Sequence, residues 1–133
     1  MPLVKDFQAE ARLSRERHLP MLVMFASETC TYCQYIDKHF LKPMIISDKD
    51  NDKVLIRVIY IDSLDTVRDF SGKPVPVEDL AASYHVKLTP TMLFLGPNGE
   101  ELAPRMIGIS SPDFYGTYLD QHIDQTRAKL RGG

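Results

Sequence analysis

The chain has 133 residues, 44% of them hydrophobic and 26% charged, with a formal net charge of −2. These values suit one folded domain, predicted to span residues 1–133, and they make no electrostatic case for nucleic acid or an anionic membrane surface. No segment approaches the roughly 20 apolar residues that cross a bilayer. Residues 1–6 lack the apolar stretch of a secretory leader, which fits either a cytoplasmic protein or a mature form whose leader is gone.

Residues 5–18 predict a surface helix, with Phe7 and Ala11 on one face and Glu10, Arg12, Arg15 and Glu16 in solvent. His18-Leu19-Pro20 ends it. Residues 21–26 are apolar without alternation, the pattern of a central strand covered on both faces. Ser27-Glu28-Thr29 then leads into Cys30-Thr31-Tyr32-Cys33. From there Ile36, Phe40 and Leu41 follow at helical spacing, and Pro43 predicts a kink or a break. Residues 47–53 read as a loop and residues 54–61 as a second strand rich in β-branched side chains.

Residues 65–77 are the least regular, with turn chemistry at Ser71-Gly72-Lys73-Pro74 and Pro76 opening a short helix over residues 78–84. Residues 91–95 form a third strand. Pro97-Asn98-Gly99 signals a hairpin into a fourth, around residues 105–109. Ser111-Pro112 is the expected cap of a last helix, from Asp113 to about Arg131, burying Phe114, Tyr118, Leu119 and Ile123. The order predicts an α/β chain that closes with an antiparallel hairpin and a helix.

The chain has two cysteines, and they lie in one Cys-x-x-Cys. A crosslink that short restricts the unfolded chain little, so stapling explains it poorly. Thiol–disulfide exchange needs a nucleophilic thiolate and a second thiol within reach of the mixed disulfide. A Cys-x-x-Cys at a helix start supplies both. Cys30 meets the unpaired N–H groups and positive dipole end, and is the attacking cysteine. Cys33, one turn on and more buried, is the resolving one. Structural zinc would want four Cys or His ligands. His18, His39, His85 and His122 do not fall at spacings that complete the set, although thiolates also suit Cu(I). The second informative site is Thr89-Pro90-Thr91. Alone, Pro90 is a strand-start proline; beside the cysteine motif, a cis peptide facing the cysteines is the better reading.

With these features the chain resembles the thioredoxin superfamily over nearly its whole length. The resemblance rests on residues 22–33, Ile61-Asp62, residues 89–94, Asn98-Gly99 and Ile107-Gly108. The connection over residues 67–77, with Phe70-Ser71-Gly72, looks like the SoxW-related thioredoxin-like proteins of the bacterial cell envelope. The resemblance implies a thioredoxin fold: a four-stranded mixed sheet flanked by helices, with the CxxC at the N-terminus of a helix. It implies that Pro90 lies against the cysteine pair and that Thr89 tunes it and offers backbone hydrogen bonds to a bound peptide. Gly108 and Ile109 match the loop completing the substrate groove, and Thr31 and Tyr32 tune the thiolate and shape the groove. The implied activity is a monomeric reductant of protein disulfides in the bacterial periplasm, recharged by a membrane electron-transfer partner, with no cofactor and no metal. A cytoplasmic protein, an oxidant or isomerase on the same fold, and a non-enzymatic copper carrier are the alternatives.

The departures are specific. Thr29 stands where thioredoxins carry Trp, and Thr31-Tyr32 replaces Gly-Pro. The buried acid of the strand before the motif and its lysine partner correspond to Met24 and Val58. Glu28, the nearest carboxylate in sequence, reads as a solvated loop acid, so no base is evident for Cys33. Asp62 reads as a cap or turn residue, and His39 and His85 as surface side chains. No Gly-rich phosphate loop follows a strand.

Overall fold

The computed structural model describes residues 2–47, 52–109 and 111–132. In chain order the elements are α1 (Phe7–Arg17), β1 (Met21–Ala26), α2 (Thr31–Ile36, continuing through a π-helical turn at Asp37–Leu41 into Lys42–Ile46), β2 (Leu55–Tyr60), β3 (Thr66–Arg68), β4 (Pro74–Pro76), α3 (Val77–Ser83), β5 (Thr91–Leu95), β6 (Glu101–Ile107) and α4 (Tyr115–Leu130). The main sheet has the order β2-β1-β5-β6. β1 runs parallel to β2 and antiparallel to β5, which pairs antiparallel with β6. This is the four-stranded mixed sheet expected from the sequence.

All six residues of β1 are buried. Side chains alternate across a strand, so Met21, Val23 and Phe25 enter one core with Phe7, Val77 and Leu80 from α1 and α3. Leu22, Met24 and Ala26 enter the other with Cys33 and Ile36 of α2 and Leu119 and Ile123 of α4. Helices cover both faces, and that is why β1 shows no polar alternation.

Asp6 caps α1, its Oδ1 accepting from the Gln8 and Ala9 N–H groups at 2.9 and 3.1 Å. Glu10 is not a solvated residue: Arg57 Nε donates to its Oε2 at 2.5 Å. Arg57 lies between Leu55 and Ile59 on β2 and shares their face, against which α1 packs. α2 does not break at Pro43. Proline has no N–H and crowds the carbonyl four residues back. The turn before it is π-helical, with Lys42 N–H donating to Asp37 O, and the helix then runs on to Ile46.

Residues 65–77 hold a hairpin that the local pattern does not announce. Thr66, Val67 and Arg68 pair with Pro76, Val75 and Pro74. Strands of three residues with two prolines carry little β signal. The Asp69 carboxylate closes the turn, accepting from the Ser71 hydroxyl and from the Ser71 and Lys73 N–H groups at 2.7, 2.9 and 2.9 Å. The Ser71 hydroxyl first, then the Lys73 N–H, hold Asp69 below the usual carboxylate range.

The fourth strand begins at Glu101, ahead of the expected 105, and Ile109 lies beyond its end. Pro104 sits inside it; β6 is a sheet edge, where a missing N–H costs no ladder bond, and the register shifts around this point. The last helix also differs. Pro112–Phe114 is a 3-10 turn, Ser111 makes no side-chain cap bond, and α4 starts at Tyr115. Its buried stripe is Tyr115, Leu119, Ile123 and Thr126. Phe114 and Tyr118 precede that stripe by one position, about 100° round the helix, and are exposed. The expected loop over residues 47–53 lies partly outside the described residues.

Candidate redox site

Four chain segments meet at one end of the main sheet. β1 and β2 are parallel, so Ala26 and Tyr60 end together. β5 is antiparallel to β1 with Thr91 opposite Phe25, and β6 brings Ile107 opposite Thr91. The cysteine loop after β1, residues 89–90 before β5 and residues 108–109 after β6 are thereby gathered at the same edge. This is a consequence of sheet register, which no local motif encodes.

Cys30 is the N-cap of α2, with extended backbone. Its Sγ accepts the Cys33 N–H at 3.1 Å. It is half-buried, whereas Cys33 is 3% exposed. The two are disulfide-bonded, with Cα atoms 5.2 Å apart. A helix N-terminus offers unpaired N–H groups and the positive end of the dipole to a thiolate. The Cys33 N–H already points at Cys30 Sγ, so the charge on reduction falls where a donor stands ready.

The Thr89–Pro90 peptide is cis. Pro90 is buried and Thr89 half-buried. Pro90 O accepts the Gly108 N–H at 2.8 Å, tying the loop after β6 to the start of β5. Gly108 has φ +66°, a left-handed backbone that favours glycine. Ile109 and Cys30 each pack, partly buried, against the core cluster that holds Cys33.

Beside Cys30, an apolar recess of about 250 Å³ is lined by Thr31, Tyr32, Tyr35, Ile109 and Pro112. Tyr32 is 61% exposed. Of the residues singled out from sequence, Thr31, Tyr32 and Ile109 converge here, while Thr89, Pro90 and Gly108 lie outside this recess. Tyr35 and Pro112 were not anticipated. Tyr35 lies three residues after Tyr32 on the same helix, a spacing that places two aromatic side chains on one face.

Behind Cys33 lies a second cavity, of about 340 Å³, lined in part by Met24, Glu28, Cys33, Asp37 and Tyr60. Met24, which lines this cavity, and its register partner Val58 are both 1% exposed, so the two positions where thioredoxins carry an acid and a lysine are buried and apolar here. Glu28 is exposed, and its N–H donates to Asp62 Oδ2 at 3.3 Å. Asp37 is the residue that sequence reasoning missed. Its position, four residues after Cys33, was the available signal. Among the described residues no three His, Cys, Asp or Glu side chains converge on a metal-sized site.

The sequence matches a family model described as a thioredoxin-like domain over residues 7–123. The chain belongs to this thioredoxin-like family. No curated protein matches it significantly. Similar solved structures include thioredoxin from Fasciola hepatica, 20% identical with a TM-score of 0.61, covering 95% of this chain and 99% of that one. Poplar thioredoxin h is 18% identical, with a TM-score of 0.60, over 89% and 95% of the two chains. The periplasmic thioredoxin SoxS from Paracoccus pantotrophus, in its reduced form, is 20% identical, with a TM-score of 0.51, over 80% and 97%. At these identities the likeness is one of fold. The thioredoxin-like family and the CxxC at the start of α2 together support thiol–disulfide oxidoreductase chemistry.

Proposed function

We propose that this thioredoxin-like chain reduces disulfides of other proteins through Cys30 and Cys33. The observation that carries the reading is the asymmetry of the pair: Cys30 Sγ sits at the helix start accepting the Cys33 N–H, and Cys33 is buried one turn on. The Cys30 thiolate attacks a substrate disulfide and expels one substrate thiolate, leaving a mixed disulfide. The Cys33 thiolate then attacks Cys30 Sγ, forms the Cys30–Cys33 disulfide and expels the second substrate thiolate. Two electrons pass from the dithiol to the substrate, so the step itself needs no organic cofactor or metal.

In this reading Thr89, Pro90, Gly108 and Ile109 form the groove that holds an extended substrate segment, and Thr31 and Tyr32 shape its entrance. In the same reading the Thr89 backbone pairs strand-like with that segment. The compartment we propose is the bacterial periplasm, where a membrane electron-transfer partner returns the pair to the dithiol. The resemblance of residues 67–77 to envelope proteins supports this, as does a periplasmic thioredoxin among the similar structures. Among the described residues no helix is long and apolar enough to cross a membrane.

Insulin reduction with dithiothreitol as electron donor tests the activity, with Cys30→Ser as the control. The wild type is expected to accelerate it and the variant not to; equal rates overturn the reading. Equilibration with glutathione tests the direction. Potentials in this fold run from about −270 mV to about −120 mV. A reductase falls toward the first value, and a result close to the second makes the protein an oxidant.

A further inference from the structure

We infer that Asp37 is the proton acceptor for Cys33, taking over from α2 the role that Met24 on β1 cannot perform. The inference rests on the redox reading above and concerns its resolving step.

The resolving cysteine must lose a proton before it attacks Cys30 Sγ. Cys33 is 3% exposed and lies among apolar residues, an environment that disfavours a thiolate. Met24 and Val58 carry no proton acceptor. Asp37 follows Cys33 by one regular helical turn, with Asp37 N–H donating to Cys33 O. Residues at this spacing share a helix face, and both line the same cavity of about 340 Å³. That volume holds several water molecules at about 30 Å³ each.

The carboxylate is held in an unusual way. Its Oδ1 is buried with no hydrogen-bond partner, and Oδ2 lies 3.6 Å from Lys42 Nζ. A buried unpartnered carboxylate oxygen is costly, and a proton or a water is what would satisfy it. The π-helical turn at Asp37–Leu41 contributes the tether. Its i to i+5 bonding, Lys42 N–H to Asp37 O, brings Lys42 alongside Asp37, where a regular helix would carry it round the axis. The other ionisable groups facing the cavity are Glu28 from the loop after β1 and Tyr60 from the end of β2, with Asp62 bound to the Glu28 N–H. Glu28 is exposed, which leaves Asp37 as the carboxylate with an inward, unsatisfied oxygen.

In the step, the Cys33 thiol proton passes through solvent in the cavity to Asp37. The Cys33 thiolate attacks Cys30 Sγ, and the substrate sulfur leaves as a thiolate. The carboxylic acid then returns its proton to solvent or to that leaving group. No further reactant is consumed.

The test is a stopped-flow reaction of the reduced protein with the aromatic disulfide dithiobis(nitrobenzoate). The first equivalent of coloured thiolate reports attack by Cys30, and the second reports resolution by Cys33. In Asp37→Asn the first phase should stay within about twofold of wild type. The second should slow by about a hundredfold near pH 7, the lower end of what loss of a general acid–base group costs. As the pH rises beyond the ordinary thiol value of about 8.5, the gap between the two proteins should narrow steadily, because hydroxide takes the Cys33 proton increasingly well without Asp37. Asp37→Glu should restore much of the rate, and Glu28→Gln should leave the second phase unchanged. An unchanged second phase in Asp37→Asn overturns the inference, and so does a slowing of the same size at every pH, which marks a misplaced helix. A wild type that releases only one equivalent overturns the resolving role of Cys33, and with it this role of Asp37. That outcome is distinct from a two-phase wild type matched by Asp37→Asn.

Discussion

Met24 stands opposite Val58 in the parallel register of β1 and β2, and both are buried in the cluster that contains Cys33. Two uncharged side chains therefore pack in the buried cluster around Cys33. The cluster gains apolar burial there, at about 1.5–3 kcal/mol for a fully buried large side chain. It gives up a charged pair that could relay a proton. In the proposed resolving step the group that serves Cys33 comes from another element, as Asp37 of α2.

Because that cluster is apolar, Met24→Asp should be strongly destabilising. The new carboxylate would be buried opposite Val58, with no cation in register. An uncompensated buried charge costs about 3–5 kcal/mol. Val58→Lys added to it should recover part of the loss. Urea unfolding of the wild type, the single variant and the double variant measures both effects. A single variant within about 1 kcal/mol of wild type would show that water in the adjoining cavity solvates the new carboxylate fully.

The apolar recess beside Cys30 should govern protein substrates and not small ones. Tyr32 is 61% exposed, so Tyr32→Ala should change stability by no more than about 0.5 kcal/mol. It should lower the rate of insulin reduction several-fold while leaving the first phase with dithiobis(nitrobenzoate) unchanged. Equal losses on both substrates would instead place Tyr32's influence on the Cys30 thiolate itself.

Two tyrosines, Tyr84 half-buried and Tyr115 buried, predict opposite responses to loss of a hydroxyl. Tyr84 donates to Gly99 O at 2.7 Å, and Tyr84→Phe should cost about 1 kcal/mol at neutral pH. The Tyr115 hydroxyl is buried with no partner, so Tyr115→Phe should be neutral or stabilising by up to about 1 kcal/mol. Burial first, then Glu101 and Glu100, pushes Tyr84 up to about 12. Burial also raises Tyr115. For an acid raised on folding, the stabilising contribution is complete below the unfolded value of about 10 and is lost as the pH climbs through the folded one. Urea midpoints should therefore fall between about pH 10 and 12, and less steeply in Tyr84→Phe. A midpoint independent of pH over that window would mean that neither hydroxyl is shielded from solvent.

Much of the fold was legible because its signals are local. The unbroken apolar run at Met21–Ala26, the turn at Asn98-Gly99 and the helical spacing after Cys33 each involve neighbours in the chain. The β3–β4 hairpin was not legible, since Pro74 and Pro76 leave almost no β pattern and its pairing appears only in register. The outward turn of Phe114 and Tyr118 was missed because an amphipathic stripe displaced by one residue looks similar in sequence, and only the sheet it packs on selects the buried set.

By itself the amino-acid order determined the cysteine pair and its asymmetry, because three-residue spacing and a helix start decide which sulfur meets the free N–H groups. Tertiary structure decided what surrounds the pair. The Glu10–Arg57 bond and the Gly108 N–H on Pro90 O join residues far apart in the chain. So do the Met24–Val58 pair and the cavity that Met24 shares with Asp37. Such neighbours are created by strand register and layer packing, and no window of sequence contains both members.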